Sequence, residues 1–327
     1  MKKYISILLA MALLAGVLTG CSGLGNSNDK LSIVTTIFPE YDWVMQIMGE
    51  KAEEADITLL LDSGVDLHSY QPTAADMIKI SSCDIFIYVG GESDSWVEDT
   101  LENVTNKDMV VINLLEVLGE DIVKEEEFVD GMEHEHHEDE EHHSEEHEHI
   151  DDEHVWLSLK NAKIICKYIS ERIAEIDPDN KDIYADNSEA YIAELSALDS
   201  EYQSVVGAAP VKTLLFGDRF PFRYLVDDYG LEYYAAFSGC SAESEASFET
   251  VAFLAGKIDE LGLNTVLTID GVNHRLAETI IETSVAQSAV ILSLNSMQST
   301  TAADVKNGAT YLSIMEANLE VLKEALK

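Results

Sequence analysis

Positive charge is scarce in this sequence: 20 lysines and arginines stand against 62 aspartates and glutamates, a net charge of −42. That balance excludes a nucleic-acid partner, which needs a basic face to displace counterions from phosphates. It suits a protein that draws in cations, although an acidic surface also serves solubility alone. Cysteine is sparse as well, at 4 residues. Setting aside Cys21, the odd set Cys83, Cys166 and Cys240 offers no disulfide framework, and the first two, in apolar-rich segments, read as small core residues. The signatures H-E-x-x-H, G-x-S-x-G, G-x-G-x-x-G and the P-loop are all missing, which removes the common hydrolase and nucleotide-binding readings.

What is present is an ordinary globular composition, 46% apolar and 25% charged, in 327 residues, enough for two modest domains or one large one. The N-terminus reads apart from the rest. Lys2 and Lys3 precede an apolar run from Ile5 to Val17, then Leu18-Thr19-Gly20-Cys21. A basic start, a short apolar core and small residues describe a secretory signal, too short for a stable membrane span. Its ending resembles the bacterial lipobox, which implies lipidation of Cys21. Residues 22–29 then form a polar, flexible tether.

Beyond the tether, short apolar runs alternate with amphipathic stretches. Strands are expected at Leu31–Thr36, Ile57–Leu61, Ile85–Val89 and Val110–Asn113, and again at Lys212–Phe216, Glu232–Ala236, Thr265–Ile269 and Ala289–Leu294. Helical patterns at Tyr41–Met48, Thr73–Ile80 and Phe248–Leu261 lie between them. This implies an α/β protein with a mostly parallel sheet in each half. Asp177-Pro178 marks a helix start, an N-cap acid before proline at the first helical position. Tyr184, Tyr191, Leu195, Leu198, Tyr202 and Val205 then keep one face apolar until Gly207 and Pro210 end it. A helix of about 28 residues, roughly 40 Å long, would span two lobes.

Between Glu125 and Glu153 lie sixteen acids and seven histidines: His134, His136, His137, His142, His143, His147 and His149. The tract is too polar to order itself, and its imidazoles suit loose binding of several zinc ions. His143 to His147 fits H-x-x-E-H, but in a tract built from His and Glu that match carries no weight. The other histidines are His68, His154 and His274. The first two fall in connections at element ends, where α/β proteins place ligands; His274 reads as a surface residue.

Gly64-Val65-Asp66-Leu67-His68-Ser69-Tyr70, with Pro72 and Asp76, resembles the first-ligand motif of the zinc and manganese substrate-binding lipoproteins of bacterial ABC transporters. Asp152-Glu153-His154-Val155-Trp156-Leu157-Ser158 is similar to the second-ligand motif, and a His-rich insertion just before it is typical of the zinc-specific members. The connector helix and the segment Gly308 to Leu322 fit the same family. The resemblance implies two α/β lobes joined by one long rigid helix, with a metal site in the cleft. It divides the chain into a signal at 1–21, a tether at 22–29, lobes at 30–178 and 209–327, and a connector at 179–208. It further implies a monomer without enzymatic activity, lipid-anchored outside the cytoplasm, which delivers its ion to a membrane permease and ATPase.

The second half departs from the family. Phe216-Gly217-Asp218-Arg219-Phe220-Pro221-Phe222 aligns with the segment that carries a third histidine, and Gly217 stands in its place. The resemblance carries His68, His154 and Asp270 over as ligands, with Asp218 as the nearest replacement for the third and Cys240 and His274 as further donors. A carboxylate in place of histidine favours harder ions such as manganese; the His-rich tract favours zinc, which is the expected ion. A surface lipoprotein that buffers metal or mediates adhesion, without transport, is the alternative reading.

Overall fold

The computed structural model describes residues 30–120, 124–125, 127, 129–132, 151–239, 241, 245–271 and 273–327. Cys21, the tether, the His/Glu tract at 134–149 and Cys240 lie outside the described residues.

In the first half the chain runs β1 Ser32–Thr35, α1 Phe38–Met48, β2 Asp56–Leu59, α2 Ala74–Ser82, β3 Ile85–Tyr88, α3 Trp96–Glu102, β4 Val110–Asn113 and α4 Leu114–Leu118. The strands pair in parallel, in the order β2-β1-β3-β4. Ile33, Val34, Ile85, Phe86 and Ile87 are all buried, so the central strands are covered on both faces. Near-continuous apolar runs are what such strands need.

The second half runs β5 Thr213–Phe220, α7 Arg223–Tyr229, β6 Glu232–Ser238, α8 Phe248–Leu261, β7 Thr265–Ile269, α9 Arg275–Thr283, β8 Val290–Leu294, α10 Ala302–Lys306 and α11 Tyr311–Ala325, after the helical pair α5 Leu159–Ile176 and α6 Lys181–Ala208. Its sheet is also parallel, in the order β6-β5-β7-β8. Each lobe therefore repeats one topology, with a switch in winding direction between β1 and β3 and between β5 and β7. Ligands of open α/β sheets bind at the carboxyl ends of strands beside such switches.

The connector α6 has 28 residues, as the periodicity predicts. Its Tyr184, Tyr191, Leu195, Leu198 and Tyr202 are buried, against α5, α1 and α11. A short 3-10 turn, Pro178–Asn180, precedes it, so the regular helix begins at Lys181 rather than at the proline. Asp177 holds that turn by accepting from Asn180 Nδ2 at 2.8 Å and from the Tyr184 hydroxyl at 2.5 Å. The last helix ties back to the first and to the connector: the Tyr311 amide donates to Asp42 Oδ2 at 3.0 Å, and the Tyr202 hydroxyl of α6 donates to the Met315 carbonyl at 2.6 Å.

Strand β5 extends past its expected end at Phe216 and is irregular between Phe216 and Arg219. Gly217 sits in that irregularity. A Cβ there would lie 2.8 Å from Ala277 Cα, 2.9 Å from Ala277 Cβ and 3.1 Å from Val266 Cγ1. Helix α9 thus packs directly on the backbone where the family's third histidine is expected. No side chain fits at 217 unless that helix moves.

Candidate functional site

His68 lies in a one-turn helix, Leu67–Ser69, in the connection between β2 and α2. Asp66 caps the turn by accepting the His68 amide at 3.1 Å. The rest of the motif fixes the loop to α2: Thr73 and Asp76 form its capping box, and the Tyr70 hydroxyl donates to Asp76 Oδ2 at 3.1 Å. The His68 ring is held from behind by Ser93 Oγ, 2.7 Å from Nδ1. Glu153 Oε2 stands 3.7 Å from the same nitrogen, too far for a hydrogen bond. Burial and the neighbouring His154 push the His68 pKa down to about 4.

His154 is wholly buried. Asp152 Oδ1 accepts both from its amide at 2.9 Å and from its Nδ1 at 2.8 Å, fixing ring orientation as a carboxylate does behind a metal-binding imidazole. Glu153 takes the Ser93 amide at 2.8 Å. Ser158 caps α5 through the Asn161 amide. Four bonds then reach residues beyond 209. Tyr224 donates to the Asp152 carbonyl at 2.7 Å, the Trp156 indole to the Ser296 carbonyl at 2.8 Å, the Tyr311 hydroxyl to the Trp156 carbonyl at 2.7 Å and Ser158 to Asp228 at 2.6 Å.

The two imidazoles, 86 positions apart in sequence, bring their Nε2 atoms to 3.2 Å. Two nitrogens bound to one tetrahedral zinc at 2.0–2.1 Å lie about 3.3–3.4 Å apart. Gln298, from the loop after β8, places its Nε2 2.9 Å from each of these atoms. With the amide donating to both rings, each imidazole carries its proton on Nδ1, facing Ser93 or Asp152. Both Nε2 lone pairs then point at one place.

Asp218 and Asp270 are spent differently. Asp218 accepts from the Arg219 amide at 2.8 Å and the Ile269 amide at 3.1 Å; burial raises its carboxyl pKa. Asp270 Oδ1 accepts from the Ser296 amide at 2.6 Å and the Ser296 hydroxyl at 3.0 Å. Among the described residues, no group of three or more His, Cys, Asp and Glu side chains is placed to hold one ion. His274 is exposed at the start of α9. Cys83 and Cys166 are free, buried thiols, as expected of core residues.

A sequence profile of the ZnuA family, described as zinc-uptake complex component A, periplasmic, matches residues 33–325. The chain belongs to the ZnuA family. It is 32% identical to the zinc-binding lipoprotein AdcA of Streptococcus pneumoniae serotype 4 over 329 residues, 99% of this chain and 61% of that protein. The chain thus spans under two thirds of that relative's length. It is also 32% identical to the high-affinity zinc uptake system protein ZnuA of Bacillus subtilis over 301 residues, 92% of this chain and 89% of that protein. Among solved structures, the Zn(II)-bound ZnuA-like domain of pneumococcal AdcA superposes with a TM-score of 0.70 at 29% identity, covering 91% of this chain and 99% of that domain.

Within the ZnuA family frame, two residues at this site escape a reading of the sequence. Gln298 belongs to no recognisable motif. Arg219, whose Nη2 lies 2.9 Å from Asp66 Oδ2, joins β5 to the cap of the His68 turn. A basic residue two positions after the missing histidine was the available signal for the second; none existed for the first.

Proposed function

We propose that this chain captures a single zinc ion outside the cytoplasm and passes it to an ABC-type importer. The observation that carries this reading is the convergence of His68 Nε2 and His154 Nε2 at 3.2 Å. Each ring is backed by an acceptor on Nδ1, as second-shell groups back a zinc ligand. His68 and His154 are the ligands in this reading, and Asp218 and Asp270 are the carboxylates of the second lobe that stand as candidates to complete or neutralise the site. A closed set of protein ligands leaves no position for activated water, in keeping with a carrier rather than an enzyme. Relatives named for zinc binding and zinc uptake support zinc over manganese.

In the same reading Cys21 carries the lipid anchor, residues 22–29 tether a monomer to the membrane, and the lobes at 30–178 and 209–327 close about the connector at 179–208. The partner is a permease with its ATPase, which reads the closed form. Among the described residues, no feature favours the adhesion or buffering alternative over import.

The test is isothermal titration of zinc into a full chain whose seven histidines at 134–149 are changed to serine. The parent should bind one ion tightly, and the His68→Ala, His154→Ala double variant should lose it. Undiminished tight binding by the double variant would overturn the proposal. Competition between zinc and manganese on the parent decides the ion.

A further inference from the structure

His154 has a carboxylate bonded directly behind it; His68 has one just out of reach. We propose that Glu153 is a positioning residue for His68: its carboxylate holds the ring's proton on Nδ1 and so leaves the Nε2 lone pair free for the ion. The proposal rests on the zinc-capture reading above. Glu153 is only 1% exposed, and its Oε2 is buried without a hydrogen-bond partner, 3.7 Å from His68 Nδ1. A buried anionic oxygen needs a positive neighbour. Among the described residues no lysine or arginine pairs with Glu153, and the group that faces Oε2 is the Nδ1 edge of His68.

The loop after β3 fixes which oxygen faces the ring. Glu153 Oε1 accepts the Ser93 amide at 2.8 Å, so Oε2 is the oxygen turned to His68. Ser93 Oγ, 2.7 Å from Nδ1, faces the same carboxyl group. Its hydrogen is drawn to the anion, which leaves its lone pair to accept from Nδ1–H. Gly91 permits the close approach: its φ is +81°, and a Cβ there would lie 2.6 Å from Glu153 Cγ. The loop backbone thus rests directly on the Glu153 side chain.

The position of that proton decides whether the ring can bind. In a neutral imidazole one nitrogen carries the proton and the other accepts, and the partner of one sets the state of the other. For His154 the 2.8 Å bond from Nδ1 to Asp152 settles this. For His68 a serine hydroxyl alone would not, because it donates as readily as it accepts. The charge of Glu153, buried where water screens it little, breaks that tie. A proton on His68 Nε2 would sit between the two rings, whose Nε2 atoms are 3.2 Å apart, and would block the ion.

The test uses the full chain with serine at the seven tract histidines and reads the His68 tautomer, without metal, by long-range proton–nitrogen NMR of the imidazole. In the parent the proton should be on Nδ1. Glu153→Gln keeps the shape and the oxygen that accepts the Ser93 amide, so its amide N–H groups take the place of Oε2 and donate toward Nδ1. The proton should then move to Nε2. Zinc affinity, read by competition with a chromogenic chelator, should fall about 10–100-fold, the cost of losing a group that supports a ligand. The d–d absorption of the saturated cobalt(II) form should match the parent, since the ligands are unchanged. Glu153→Met, which removes the charge without adding a donor, gives a second reading and should populate both tautomers. Ser93→Ala, which leaves the carboxylate in place, should keep the proton on Nδ1. An unaltered melting temperature certifies folding. A parent proton on Nε2, or one that stays on Nδ1 in both Glu153 variants, overturns the proposal, as does unchanged affinity or an altered cobalt spectrum. Should His68→Ala, His154→Ala retain tight zinc, the zinc-capture reading falls, while the tautomer measurement still decides the role of Glu153.

Discussion

Arg219 Nη2 meets Asp66 Oδ2 at 2.9 Å, and the other oxygen of that carboxylate holds the His68 amide. One side chain of the second lobe therefore grips the cap of the first-lobe turn that carries His68. Burial alone would raise the Asp66 carboxyl, but the guanidinium and His68 outweigh it and hold it below the usual range. Both partners are about a fifth exposed, so the pair contributes modestly, on the order of 1 kcal/mol. Arg219→Ala should speed zinc release roughly fivefold while leaving cobalt spectra unchanged. Stopped-flow transfer to a chelator measures it, and an unaltered release rate would show that the pair plays no part in closure.

Asp152 fixes the His154 ring through Nδ1 and the backbone amide. Asp152→Ala should lower zinc affinity about 10–100-fold, with Asp152→Asn between that variant and the parent because an acceptor oxygen remains. Equal affinity across all three would remove Asp152 from the site's support.

The contact of α9 with Gly217 makes a stability prediction. Gly217→Ala should cost about 1–3 kcal/mol by overpacking, seen as a lower urea midpoint. Gly217→His should destabilise further and should not tighten zinc. A stable, tighter-binding histidine variant would contradict the packing described here.

Glu40 is wholly buried, accepting from the Thr36 and Ile37 amides at 2.8 and 3.2 Å. Burial, with Asp94 adding to it, raises its pKa to about 8; burial raises Asp94 to about 7. Between the unfolded carboxylate value near 4.5 and these values, the folded chain holds protons that the unfolded chain has released. Raising pH therefore favours unfolding, and the contribution is lost as pH climbs through 7 to 8. Denaturation at pH 5.5 and 8.5 should show a smaller loss of stability for Glu40→Gln than for the parent. Equal losses would mean that Glu40 is ionised throughout.

The strand and helix pattern of both lobes was legible because parallel strands need apolar runs and helices need 3.6-residue periodicity. β4, β7 and α8 fall on their expected residues, and the edges of the rest move by a few positions. His68 and His154 were legible because each is embedded in capping and packing residues with fixed spacing. Gln298 was not, since its placement depends on a left-handed turn at Met297 and on Asn318, neither of which leaves a pattern. Asp218 and Asp270 read as free donors from their places at strand ends, yet the folded backbone offers each carboxylate amide groups that no linear pattern reveals. Gly217 reads as a lost ligand; in three dimensions it is the surface on which a helix rests.

The four bonds from Tyr224, Trp156, Tyr311 and Ser158 have a mechanical result. Although His154 precedes the connector in sequence, it is riveted to the half of the molecule that follows it, alongside the loop of Gln298. Prising the halves apart would leave those two groups together, and would have to break the Arg219–Asp66 and Ser93–Glu153 bonds before the His68 turn could part from them.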